Sequence, residues 1–177
     1  YFATVHGWDT SAYELFPPTA KAARANIERS GLAERIELNA FGLGAKSETL
    51  TLRYNEASRG SNGIFGNTDP DATGDDVAID VNVMDAAEAF VNVQQKAASR
   101  PILAKLDCEG AEYAIVPRLI ESGAIDHITA IVMEEHVIQG QDREKLAGSI
   151  RDAGFIVRRT RKVDDHVSLL FACRLGN

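Results

Sequence analysis

Apolar residues recur along the chain in short blocks whose spacing switches between the period of a strand and that of a helix. Ser11 to Phe16, SAYELF, reads as a short strand ending at Pro17-Pro18. A helix follows from about Thr19 to Ser30, with Ala20, Ala23 and Ile27 on one face and Gly31 as its stop. Ile36, Leu38 and Ala40 alternate as a strand that Gly42 and Gly44 break, and Leu50, Leu52 and Tyr54 alternate again. Asn55 to Asp76 is rich in Gly, Ser, Asn and Asp, a long loop of the kind that is functional or mobile in a compact domain. Val77, Ile79, Val81 and Val83 give the clearest period of two, and Asp85 is placed to cap a helix from Ala86 to Ala98.

The second half keeps the same rhythm. Pro101-Ile102-Leu103-Ala104 is an apolar run short enough for a buried parallel strand. The helix after it carries Ile115, Val116, Leu119 and Ile120, with Pro117 expected to kink or split it and Gly123 to end it. Ile128 to Met133 is a second buried strand, and Gln141 to Ala153 a helix closed by Gly154. Phe155 to Val157 and Val167 to Cys173 read as a hairpin joined by a charged turn around Lys162 to Asp165. Strands alternating with helices, closed by a hairpin, predict an α/β fold with a mostly parallel sheet and one antiparallel strand.

Charge concentrates where the two buried strands end. Lys105, Asp107 and Glu109 follow the first, with Gly110 and then Glu112 opening the next helix; Glu134, Glu135 and His136 follow the second. The carboxyl edge of an open parallel sheet is where such folds bind ligands. The plainer reading is a solvated turn, with Glu109 and Glu112 answering the helix dipole.

At 177 residues the chain fits one domain, spanning 1–177, with ordinary hydrophobic (45%) and charged (25%) content. Its net charge of −7 argues against a nucleic-acid partner and against an anionic membrane surface. Cys108 and Cys173 lie far apart in apolar patterns, which predicts buried, reduced thiols in a cytoplasmic protein and no disulfide framework. No run of residues is long and apolar enough for a membrane span.

KLDCEGAEY, from Lys105 to Tyr113, resembles the signature of the FkbM family of S-adenosylmethionine-dependent methyltransferases. Glu14 followed by Pro17, with Asn26-Ile27 downstream, is similar to a second block of that family, although Leu15 replaces its usual first proline. IVMEEH, from Ile131 to His136, is similar to a third, and Gly154-Phe155 fits before a late strand. The resemblance runs from about Ser11 to the end. It implies a class I methyltransferase fold, Rossmann-like and mostly parallel with a C-terminal antiparallel hairpin. It also implies O-methylation of a small-molecule acceptor, a hydroxyl of a sugar or natural product. The family's first strand and glycine-rich loop have no counterpart, so an N-terminal truncation is expected. Without them the strand at Tyr13 and the strand at Leu103 have no neighbour in common.

Within that frame Glu14 is expected to accept the ribose hydroxyls of the cofactor. Phe41 would pack on the adenine, or else serve as core, and Asp107 and Glu109 would border the cofactor. An alcohol acceptor needs its proton removed, for which Asp107 and His136 are the candidates. Lys105 would steer the acceptor or be positioned by Glu109 or Glu112. A sharper expectation is a divalent ion, Mg²⁺ or Mn²⁺, on Asp107, Glu134 and His136. Ser58 to Gly66 is either a lid, with Arg59 and Phe65 touching acceptor, or a plain connection. The competing reading of the whole chain is a non-catalytic Rossmann-like binding or assembly module that has lost the cofactor loop.

Overall fold

The computed structural model describes residues 2–67, 71–160 and 167–174. The charged turn expected at 162–165 lies outside them. In chain order the elements are α1 (Phe2–His6), β1 (Thr10–Tyr13), α2 (Pro17–Arg29), β2 (Ile36–Asn39), β3 (Gly42–Gly44), β4 (Glu48–Asn55), β5 (Asn62–Gly63), β6 (Gly66–Asn67) and β7 (Asp76–Asp85). There follow α3 (Ala86–Ala97), β8 (Leu103–Leu106), α4 (Glu112–Glu121), β9 (Ala130–His136), α5 (Arg143–Asp152), β10 (Ile156–Arg159) and β11 (Val167–Cys173).

The main sheet has the order β10-β11-β9-β8. β8 and β9 run parallel, with Leu103 opposite Ala130 and Leu106 opposite Met133, and β11 runs antiparallel to both β9 and β10. That is the expected pattern of parallel strands closed by a hairpin. β1 and β2 form a separate parallel pair, and β4 and β3 flank β7 in a third sheet. Among the described residues β1 and β8 share no hydrogen-bonded neighbour. Their starts lie at one edge, because Arg100, just before β8, reaches Asp9, just before β1, at 2.7 Å.

Alternation along β9 and β11 sends Ile131, Met133, Leu170 and Ala172 to one face, where Ile115, Val116 and Leu119 of α4 and Leu146, Ala147 and Ile150 of α5 cover them. Met133, Val116, Ile150 and Leu170 are fully buried, each worth about 1.5–3 kcal/mol by transfer. A smaller core joins Phe16, Tyr54 and Val81. Asp85 caps α3 as its position predicts, accepting the Ala87 N–H at 2.8 Å, and also holds Arg118 of α4 at 2.8 Å.

Four expectations change. Gly42 to Gly44 is a strand rather than a break, because its backbone pairs with Val83 to Asp85. The stretch between β4 and β7 holds a small hairpin, β5–β6. Pro117 does not split α4, since a single missing N–H removes only one helix bond. Cys173 is exposed on β11 rather than buried, because the strand's inward positions are Leu170 and Ala172.

Candidate active site at the carboxyl ends of β8 and β9

β8 and β9 are parallel neighbours, so the residues just past Leu106 and those that end β9 meet at one edge. The turn after β8 places Glu109 at φ +50° and Gly110 at φ +101°. The left-handed conformation is unusual for a glutamate. It folds the chain so that Glu112 opens α4 facing back toward the sheet.

Glu112 is fully buried. Its Oε2 accepts the Gly110 N–H at 2.9 Å and the Cys108 thiol at 3.5 Å. Its Oε1 accepts the backbone N–H of His136 at 2.9 Å and faces Nδ1 of the same residue at 3.2 Å. On the other side of the ring, Nε2 of His136 lies 3.2 Å from Glu109 Oε2. The ring is thus clamped between two carboxylates and only 4% of the residue is exposed. Burial alone would lower the His136 pKa, but Glu109 and Glu112 overcome it and push it up to about 10. The Cys108 thiol is raised well above its ordinary value, by burial first and then by Glu112.

Asp107 sits at the outer rim, paired with Lys105 at 2.7 Å. Lys105 is therefore positioned by Asp107 and not by Glu109 or Glu112. Two residues apart on an extended chain, the pair projects to one side. Glu134 lies close enough to Asp107 for that charge to raise its pKa, after the larger effect of its own burial. One ligand atom each from Asp107, Glu109 and His136 lies within 4.8 Å of the others. Of the expected metal set, Asp107 and His136 come together, and Glu109 takes the place assigned to Glu134.

Glu14 follows β1, its amide bonded to the Asn39 carbonyl at 3.0 Å. Its Oε1 accepts the Phe16 N–H at 2.9 Å, and burial raises its pKa despite the amides of Phe16 and Leu15. Phe41, just past β2, stands with its ring 5.7 Å from that of Tyr13. A carboxylate and an aromatic face thus end neighbouring parallel strands.

The β5–β6 hairpin docks on the Glu109–Gly110 turn. A Cβ at Gly63 would stand 2.5 Å from the Glu109 carbonyl oxygen, and one at Gly110 would stand 2.6 Å from Cδ2 of Phe65. Asn62 holds the preceding loop closed, its buried amide donating to the carbonyls of Asn55 (2.8 Å), Ser58 (3.0 Å) and Arg59 (3.3 Å). Arg59 turns outward to Glu56. Sequence reasoning missed the parts played by Asn62 and Gly63, whose only signal was a glycine-rich tract of unassigned purpose.

No protein-family model matches the chain, and no curated protein does. Solved structures do. The METTL16 methyltransferase domain is 12% identical, with 99% of this chain and 54% of that chain covered at a TM-score of 0.53. A human methyltransferase 10 domain containing protein is 13% identical over 99% of this chain and 64% of that one, at a TM-score of 0.49. The chain therefore spans about half to two thirds of the length of the proteins it resembles. It has the Rossmann-like α/β fold of the S-adenosylmethionine-dependent methyltransferases. The likeness is one of fold, and it does not reach the FkbM family.

One expectation is overturned. The catalytic domain of human METTL16, 14% identical at a TM-score of 0.46, is solved in complex with the MAT2A 3′UTR hairpin 6, an RNA. The exclusion of nucleic acid drawn from the net charge of −7 is withdrawn. Net charge is a sum over the whole surface, whereas a phosphate backbone meets only a local patch. No helix among the described residues is long and apolar enough to cross a membrane.

Proposed function

We propose that the chain carries the catalytic residues of an S-adenosylmethionine-dependent O-methyltransferase. One observation supports this most. Glu14 ends β1, while Asp107, Glu109 and His136 gather where β8 and β9 end. The Arg100–Asp9 pair ties the starts of β1 and β8 together, and each of these charged groups stands at the carboxyl end of its own strand. Open α/β sheets bind ligands there.

The residues fit the cofactor. Glu14 is partly buried yet keeps lone pairs beyond those that the Phe16 and Leu15 amides use, suited to a pair of ribose hydroxyls. Phe41 offers a ring face beside Tyr13 for adenine. The cofactor would supply a methyl group already activated on a sulfonium, so the protein's tasks are positioning and proton removal. Asp107, at the solvent rim, takes the acceptor's hydroxyl proton. Lys105 at 2.7 Å holds that carboxylate in place. His136, whose pKa stands at about 10, is the imidazolium at neutral pH. It fixes Glu109 beside Asp107.

The FkbM resemblance of KLDCEGAEY, a cytoplasmic location and a sugar or natural-product hydroxyl as acceptor belong to this same reading. Calorimetry with S-adenosylhomocysteine tests it: binding that is lost in Glu14→Ala upholds the cofactor site. Methyl transfer from labelled cofactor to a panel of sugars, phenols and RNA then identifies the acceptor. A second reading, a non-catalytic binding or assembly module, draws on β1 and β8 lying in separate sheets. Absence of any S-adenosylhomocysteine binding would favour it.

A further inference from the structure

We propose that Asp107, Glu109 and His136 form a binding site for one divalent transition-metal ion, with Mn²⁺ preferred over Mg²⁺. Ion binding does not depend on the methyltransferase reading; only its use on an acceptor does.

The ligand atoms are already gathered. One carboxylate oxygen each from Asp107 and Glu109 and one ring nitrogen of His136 lie within 4.8 Å of one another. Two ligands opposite each other on an ion, with bonds of about 2.2 Å, stand about 4.4 Å apart. The observed spacing is thus close to the span of a single coordination sphere. It is not a surface cluster of acids alone, for its nitrogen ligand is 4% exposed.

A fourth residue outside the set orients that nitrogen. Glu112 faces Nδ1 at 3.2 Å and holds the backbone N–H of His136 at 2.9 Å through the same oxygen. Metal-bound imidazoles are held in this way, with a carboxylate on the far nitrogen fixing tautomer and ring plane. Nε2 points at Glu109, 3.2 Å away; in the metal-free chain it carries a proton, which an incoming ion displaces to solvent. Glu112 itself is anchored by the Gly110 amide at 2.9 Å, so the clamp does not rotate.

The donor set decides which ion. Two carboxylates with one imidazole are less suited to Mg²⁺, which favours oxygen ligands, than to Mn²⁺ or Zn²⁺. Asp107 is 38% exposed at its side chain, which leaves a solvent side open. An ion with an open position polarises a coordinated hydroxyl and lowers its pKa.

The test is titration of the chelator-stripped chain with MnCl₂, followed by calorimetry and by loss of the free-ion electron paramagnetic resonance signal. MgCl₂ is titrated in parallel. One Mn²⁺ per chain is expected, with Mg²⁺ at least tenfold weaker. Asp107→Asn and Glu109→Gln should each weaken Mn²⁺ by about 100-fold, at or beyond the upper end of what lost outer partners cost. Both changes are isosteric, and circular dichroism verifies that the variants stay folded. His136→Gln should act likewise. No stoichiometric Mn²⁺ binding, binding untouched by Asp107→Asn and Glu109→Gln, or equal affinity for Mg²⁺ overturns the proposal. S-adenosylhomocysteine binding is measured separately, so failure of one site is told apart from failure of the other.

Discussion

Glu112 grips His136 twice through one oxygen, taking its backbone N–H at 2.9 Å and facing its ring nitrogen at 3.2 Å. One buried carboxylate thus joins the first turn of α4 to the last residue of β9. The same carboxylate serves the fold and the site.

Removing it should be costly. Glu112→Ala strands the amides of Gly110 and His136, each worth about 1–3 kcal/mol when buried without a partner. A total loss of about 3 kcal/mol is expected in urea unfolding, and Glu112→Gln, which keeps one acceptor oxygen, should lose less. A loss below about 1 kcal/mol for the alanine variant would show that water replaces the carboxylate.

The clamp also predicts a pH dependence for the metal-free chain. The folded pKa of His136, about 10, lies above its unfolded value of about 6.5. Its contribution is therefore complete below about pH 6.5 and is lost as pH rises through about 10. The stability difference between the native chain and His136→Gln should shrink from pH 7 to pH 10.5. A constant difference over that range would mean that the ring is neutral throughout.

Arg159 makes a comparable test elsewhere on the sheet. It holds the fully buried Glu135 through Nε at 2.5 Å and Nη2 at 2.9 Å, and Ser168 adds a bond at 3.1 Å. Arg159→Met leaves a buried charge with one hydroxyl, at a cost of about 3–5 kcal/mol. Adding Glu135→Leu to that variant should recover more than half of the loss. Strict additivity in the double-mutant cycle would refute the coupling.

Gly63→Ala should displace the β5–β6 hairpin, since its new methyl would meet the Glu109 backbone at 2.5 Å. A loss of about 1–3 kcal/mol is typical of such crowding. Faster amide exchange confined to residues 55–66 is the expected readout. Gly60→Ala, with nothing within 4 Å of the added carbon, is the control and should behave as the native chain.

The fold was legible because the alternation of β9 and β11 and the helical spacing of α4 and α5 are local properties that each segment carries alone. The site was half legible. That Asp107 and His136 end adjacent strands follows from strand order. The parts of Glu109 and Glu112 do not. An acid at the start of a helix reads as an exposed dipole partner, and nothing nearby tells that its partner is His136, 24 residues on. Gly42 to Gly44 misled for a similar reason: no side-chain pattern marks a strand whose pairing is made by backbone alone. Net charge misled about nucleic acid because a sum carries no position.

The two apolar cores have one more consequence. Glu14 belongs to the segment anchored by Phe16 on Tyr54 and Val81, whereas Asp107 and His136 rest on the core around Met133 and Leu170. The exposed ion pair between Arg100 and Asp9 adds a link that salt screens. β7 joins the two cores, since Val81 belongs to the first and the helix that follows it gives Ala86 and Phe90 to the second. A bound molecule touching both Glu14 and Asp107 would add a rivet across that joint, legible as a single melting transition moved to higher temperature.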